Sequence, residues 1–517
     1  MKNFGIFGCM SILAMAFCLA SCGNDSKNST EPDNPDEETT EATWTTDGGL
    51  KACDHILFSK DGDANVDDNG TQIGNGDQEF VFTGNQTIKK GTYLLKGWVY
   101  IANGATLTIE PGTIIKGDKD TKAALIAERG GKLIAKGTAD SPIVFTSEQA
   151  KGSRKPGDWG GIILCGNAKH NATEAQIEGG PRSKHGGSND SDNSGILSYV
   201  RIEFAGYPFE KDKEINGLTL GSVGSGTQID HVQVSFSNDD SFEWFGGTVN
   251  CKYLVAFNGW DDDFDTDNGF SGKVQFCLAM RNSRIADVSQ SNGFESDNNS
   301  SGTDAAPLTS AVFSNVTFIG PKAVDESFQN TNEYINGGQY NPNNGSALGK
   351  FQSGMHLRRN THLNCFNSVV AGWPIGIIID NQRGDAQGNA TNGDLNVQYV
   401  KMAGCDIVGS DFNKIYQDNL VTGFDDNGKA ILDETQASFS STWFKAQPGN
   451  EVAESSDGWF DATGYIPASG SPLLSGADFS NSLVSNGFDK VSYVGAFGAD
   501  DSWCKGWTNF DPNNTNY

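Results

Sequence analysis

The chain has 517 residues, 36% of them hydrophobic and 64 of them glycine, which is enough to bury a large core. With 37 Lys and Arg against 65 Asp and Glu, its formal net charge is -28. That balance argues against nucleic-acid phosphate as a ligand and favours cations or neutral and basic surfaces.

Lys2 is followed by an apolar run from Phe4 to Ala20, too short for a stop-transfer helix, which ends in Leu19-Ala20-Ser21-Cys22. This tetrad resembles the lipobox of bacterial lipoproteins. The resemblance implies a signal peptide over residues 1–21 and acylation of Cys22. The protein would then sit at the outer membrane or cell surface, touching the membrane through lipid alone. No later segment is apolar for long enough to cross a bilayer. Residues 22–48 are polar and acidic; they bury too little to offset ordering entropy and read as a disordered tether. Residues 49–96 read as an N-terminal segment and cap. Beyond Cys22, the cysteines at 53, 165, 251, 277, 365, 405 and 504 form an odd set without a CxxC pair. They make neither a zinc site nor a dense disulfide scaffold. Cys53 with Cys504 would join the two ends, and connectivity stays open.

From Thr106 onward short β-rich runs recur, among them "TLTIEPGTII", "PIVFTS", "GGIILCG", "YVRIEFAG", "IDHVQVSF", "CKYLVAF" and "KVQFCLAM". Apolar side chains alternate within them, as at Val232, Val234 and Phe236, which is strand periodicity. Gly, Asn and Asp fill the turns. Val232, Tyr253 and Val274 are 21 residues apart, the length of one solenoid coil. A parallel β-helix over residues 97–436 satisfies this pattern, because each coil buries its inward residues by stacking on the next. Propeller blades need roughly forty residues and antiparallel hairpins, and a sandwich needs tight hairpin turns at shorter spacing. Residues 437–517 lose the repeat and read as a cap over the last coil.

The phrases "GATLTIEPGTIIKG", "DWGGIILCGNA", "DDSFEWFGGTVNCKYLVAFNGWDDDFDTDNGFSG", "HLRRN", "GWPIGIIID" and "YVGAFGADDSWCKGWTNFDP" span most of the chain beyond Gly97. In these it resembles the secreted right-handed β-helix lipoproteins of Bacteroidota and Fibrobacterota. The resemblance implies an all-β, pectin-lyase-like right-handed helix and supplies no activity.

Two phrases, "NDDSFEWFGG" at 238–247 and "WDDDFDTDNG" at 260–269, repeat Asp-Asp-x-Phe-acid, and "NGFESDN" adds a third Phe-acid pair. On adjacent coils Phe242, Phe264 and Phe294 stack inward while Glu243, Asp265 and Glu295 stack beside them, about 4.8 Å apart. Carboxylates about 5 Å apart repel by roughly 3 kcal/mol at an effective dielectric near 20. A bound cation, a shared proton or full solvation can offset that. Calcium fits the first, with Asp239, Asp240, Glu243, Asp261, Asp262, Asp263, Asp265, Asp267 and Glu295 as candidate ligands. The shared proton leads to hydrolase chemistry, for which Asp240, Asp263 and Asp265 are the candidate working carboxylates. The phrase "SNDDSF" resembles the aspartate-pair strand of polygalacturonase-type hydrolases, but their Gly-His-Gly and Arg-Ile-Lys motifs are absent. A lyase needs a base beside an acidic calcium site, and "HLRRN" offers His356, Arg358 and Arg359 within reach of an anionic sugar, although a paired Arg in a strand reads first as a structural cap on stacked carboxylates or Asn side chains.

Trp98, Trp159, Trp244, Trp260 and Trp373 fall near turns or strand ends, suited either to stacking on sugar rings or to the core. Trp244, Trp260 and Arg359 are the candidate substrate contacts. His231 alternates with inward Val232 and should point out, while His170 and His185 lie in a loop without an evident partner. Long loops at 174–194 and 305–349 are candidate walls of a binding face. Together these features point to a lipid-anchored, calcium-stabilised protein binding a polysaccharide or cell-surface glycan. A lyase or hydrolase acting on uronate-rich glycans, and a structural adhesin, are the alternatives.

Overall fold

The computed structural model describes residues 44–47, 50–53, 71–77, 80–173, 175–177, 182–210, 213–500 and 503–517, with backbone alone at 44–47, 50–53, 71, 82, 209–210 and 213–214. The signal peptide, Cys22 and most of the expected tether lie outside these residues, as does the Cys53 side chain and therefore its pairing with Cys504. Trp44–Asp47, at the end of the expected tether, is a strand antiparallel to Leu50–Cys53. Cys165, Cys251, Cys277 and Cys365 are buried core thiols without disulfide partners.

Short alternating runs become strands, and each strand finds its partner one coil away. One sheet of 13 strands runs in chain order from the N-terminal strands to Ile407–Ser410, and all its pairs beyond the first are parallel. A second sheet holds 17 strands, and the chain winds between the two as a right-handed parallel β-helix. Parallel coils begin earlier than the expected residue 97: Phe80–Phe82 already pairs with Trp98–Ile101, and Thr71–Ile73 with Thr92–Leu95. Strands of three or four residues are too short to show a period, which hides these coils in the sequence.

The longest strands, Gly195–Glu203, Gln228–Ser235, Cys251–Phe257, Lys273–Met280 and Val312–Ile319, each turn a corner through one non-glycine residue with positive φ. These residues are Tyr199 (52°), His231 (51°), Tyr253 (58°), Phe276 (59°) and Asn315 (58°). A left-handed non-glycine residue costs roughly 1–2 kcal/mol. Stacking returns part of that, because the rings of Tyr199, His231, Tyr253 and Phe276 follow one another at 4.2, 4.5 and 5.3 Å. His231 therefore does leave the core, but into a covered aromatic stack. The 21-residue spacing of Val232, Tyr253 and Val274 mixes two rows: Val232 pairs with Leu254 and Cys251 with Val274, while Tyr253 belongs to the corner. One residue more in a turn shifts the count without breaking the register.

The interior is close-packed and tolerates little added volume. Gly117, at the end of Ile114–Gly117, backs onto the buried Trp159 so closely that a Cβ there would sit 2.6 Å from the ring. Gly117→Val should lower stability by about 1–3 kcal/mol, read as a reduced urea midpoint at unchanged slope. A variant as stable as the parent would show that the Trp159 ring can move.

Residues 437–517 depart from the expected cap. The helix Phe439–Ala446, capped by Ser438, does close the end of the coils, with Phe444 buried and Ser440 Oγ accepting from the Ile379 amide at 3.0 Å. Glu451–Ala453 then pairs with Lys401–Ala403. Beyond it the chain turns back and runs along the flank of the helix toward the first coils. Asn367, Gln275 and Gln233 grip this strap in turn, each side-chain amide donating to one strap carbonyl and accepting from a strap amide. Their partners are Asp478 (3.0 and 2.8 Å), Asp489 (2.8 and 2.8 Å) and Asn509 (2.8 and 2.8 Å). Trp503 and Trp507 cover the corner aromatics, and the Tyr517 hydroxyl donates to Glu203 at 2.6 Å. An exposed aromatic row needs a lid more than the helix end does, and the strap supplies it.

An acidic cleft as candidate functional site

The site lies on the sheet formed by Phe242–Gly247, Phe264–Asp267, Phe294–Ser296 and Ser353–Leu357. The register places Phe242, Phe264, Phe294 and Met355 in one column and Glu243, Asp265, Glu295 and His356 in the next. Alternation sends the columns to opposite faces. The phenylalanines are fully buried, with successive rings at 5.6 and 6.1 Å. The acids face out into a cavity of about 230 Å³, which Asn216, Asp239, Asp240, Asp267, Arg358 and Arg359 also line. A second cavity of about 310 Å³ continues it past Asp240, Asp265 and Glu295 to Asp261, Asp262 and His356.

Donor atoms of Asp240, Glu243 and Asp265 all lie within 4.8 Å of one another, and so do those of Asp239, Asp240 and Asp261. Burial, and then the neighbouring carboxylates, push Asp240, Asp262 and Asp265 well above the ordinary carboxylate range. Burial and Asp297 push Asp267 up to about 8. Glu295 is the exception: burial opposes its charge, but Arg358 and His356 hold it down to about 2. Arg358 bonds both Glu295 and Asp297, the latter at 2.9 Å, and Arg359 reaches Asp297 at 2.7 Å. Burial disfavours charge on His356, yet Asp380 and Glu295 on either side, at 3.4 and 3.6 Å, raise it above the usual imidazole value.

Over residues 81–460 the sequence matches the model of the pectate-lyase-like β-helix domain family. The chain belongs to that family. Among curated proteins and among solved structures no match is found. The family accounts for the helix, and the cleft belongs to this chain's own side chains.

In this pectate-lyase-like helix several candidate residues stand elsewhere than expected. Asp263 does not enter the cleft: its side chain is wholly buried and pairs at 2.9 Å with the equally buried Arg281. Trp244 and Trp260 are 0% exposed and offer no face to a sugar. Trp244 shares the inward parity of Phe242, two residues before it, and stacks on Phe270 at 5.3 Å. Of the loop at 174–194, Ile177 reaches the cleft wall, whereas no described residue of 305–349 lines it. That second loop folds against Asn238 instead, through Ser346 at 2.7 Å. His185, in the first loop, has a partner after all in Ser222, at 2.7 Å. Asp297, which clamps both arginines, stands outside the expected ligand set. The alignment of "FDTD" with "FESD" that yields Glu295 yields Asp297 as well.

Proposed function

We propose that the cleft binds a divalent cation, calcium by its all-oxygen donors, and through it the carboxylates of a uronate-rich glycan. The convergence of Asp240, Glu243 and Asp265 carries this reading, together with one orphaned atom: Asp265 Oδ1 is buried without a hydrogen-bond partner. Such a group is costly unless a cation or proton meets it. Calcium takes six to eight oxygens in irregular geometry, and Asp239 and Asp261 extend the donor set. Arg358 and Arg359 on the same cleft supply positive charge toward a sugar carboxylate. A solvated adhesin ladder fits poorly, because Asp240 and Glu243 are buried and Asp265 is half-buried where splayed carboxylates would be wet. Binding without cleavage fits better than elimination, since Glu295 and Asp297 raise the Arg358 pKa further against the burial that would lower it, leaving no free base there. The Cys22 tetrad supports display of this cleft from a lipid anchor at the outer membrane or cell surface.

Calcium at about one hundred times its dissociation constant should stabilise residues 44–517 by about 2.7 kcal/mol, and chelator should remove the gain. Asp265→Asn should lose the calcium response yet be more stable than the metal-free parent, because a like charge has gone. Thermal unfolding with calcium and with chelator reads both signs. No response in the parent would sink the cation reading. Incubation with polygalacturonate then separates binding from elimination, which would release ultraviolet-absorbing unsaturated ends.

A further inference from the structure

The far end of the acidic cleft opens into a second groove of different character. An antiparallel hairpin, Leu420–Phe424 with Ala430–Asp433, stands beside the loop 411–417, and between them lies a cavity of about 510 Å³. Phe412, Tyr416, Phe424 and Leu432 line it together with Lys414 and Lys429. On a chain of net charge -28, not one of its described lining residues is a carboxylate. Its size falls in the range of small-molecule sites.

The groove is built before any ligand arrives. The backbone amides of Asn413 and Lys414 donate to Asp380 and Gln352 at 3.0 and 2.8 Å, and the Tyr416 hydroxyl donates to the Phe351 carbonyl at 2.8 Å. Phe424 meets Phe412 edge-on at 4.9 Å and still leaves 47% of its surface in water. Exposed aromatic faces beside cations suit a pyranose ring that carries a carboxylate: the ring's C–H face packs on the aromatic and the carboxylate meets ammonium. The two grooves are also continuous. Asn413 and Lys414 line both, so Arg359, Arg358, Lys414 and Lys429 form a run of cations leading out of the cleft.

We propose that this groove is a second subsite, taking a further uronate unit of the chain whose first carboxylates meet the acidic cleft, with Phe424 under the ring and Lys414 and Lys429 on the carboxylate. This rests on the uronate reading of the cleft. An acidic peptide would satisfy the lysines but leave the aromatic faces unused.

Calorimetric titration of the full chain in calcium with short and long galacturonate oligomers tests it, beside Phe424→Ala and Lys429→Gln, neither of which lines the acidic cleft. Long oligomers should bind the parent at least about tenfold more tightly than short ones, and both variants should erase that gain while binding short oligomers like the parent. Both variants are at exposed positions, so unchanged unfolding midpoints are expected alongside. Retention of the length gain in the variants would overturn the subsite, as would an equal loss of short-oligomer binding. A polyglutamate peptide showing the same gain would assign the groove to peptides and overturn the sugar. A parent that binds no short oligomer would bring down the cleft reading and this one together.

Discussion

Asp263→Asn should lower global stability by about 3–5 kcal/mol and leave the calcium response intact. Its carboxylate meets Arg281 at 2.9 Å with neither side chain exposed, and the guanidinium also lies 5.4 Å from the Phe351 ring. Burial drives Asp263 up to about 6 in spite of Arg281, so the pair is ionised only because both partners are present. Removing one charge strands the other in the core. Replacing both, as in Asp263→Leu/Arg281→Met, should recover most of the loss, because buried ion pairs contribute little over a well-packed apolar pair. Denaturant unfolding of the single and double variants, with and without calcium, checks this. A single variant that stays stable but no longer responds to calcium would return Asp263 to the metal site.

The second large effect concerns acid. Burial first, then His170 and Arg129, pull His185 down to about 3. A base whose folded pKa lies below its unfolded value of about 6.5 contributes stability that is complete above pH 6.5 and is lost as pH falls toward 3. At about pH 4 the loss from this one group is about 3 kcal/mol. His185→Gln should therefore unfold less readily in acid relative to its own neutral stability. Taking the difference between variant and parent cancels the carboxylates of the cleft, whose shifts run the other way. Parallel stability curves for the two proteins between pH 7 and pH 4 would show that His185 is protonated within the fold.

Strand periodicity and the Phe-acid repeat made the helix and the acidic column legible, since both are local patterns copied from coil to coil. The same rule should have turned Trp244 inward, because it lies two residues from Phe242 on one strand. Asp263 was harder to place: it sits at a corner just before Phe264, where alternation no longer fixes direction, and its partner Arg281 lies on another strand end. The groove beside Phe424 had no signal at all, because the hairpin that forms it interrupts the repeat. Gln233, Gln275 and Asn367 look like ordinary outward polar residues. Nothing near them in sequence announces a strap more than one hundred residues away.

That strap changes how such a helix comes apart. Coils that touch only their neighbours fray from the ends, and their stabilities add along a line. Here the Tyr517 carbonyl accepts from Lys116 at 3.0 Å, Tyr517 also holds Glu203, and Asp478 is held by Asn367. One continuous segment thus staples the coils from Lys116 to Asn367 together, and none of these can peel away without tearing the seam. Unfolding should be a single cooperative event over the stapled coils, with coil stacking formed early in refolding and the seam, whose contacts close the longest loops, zipped last.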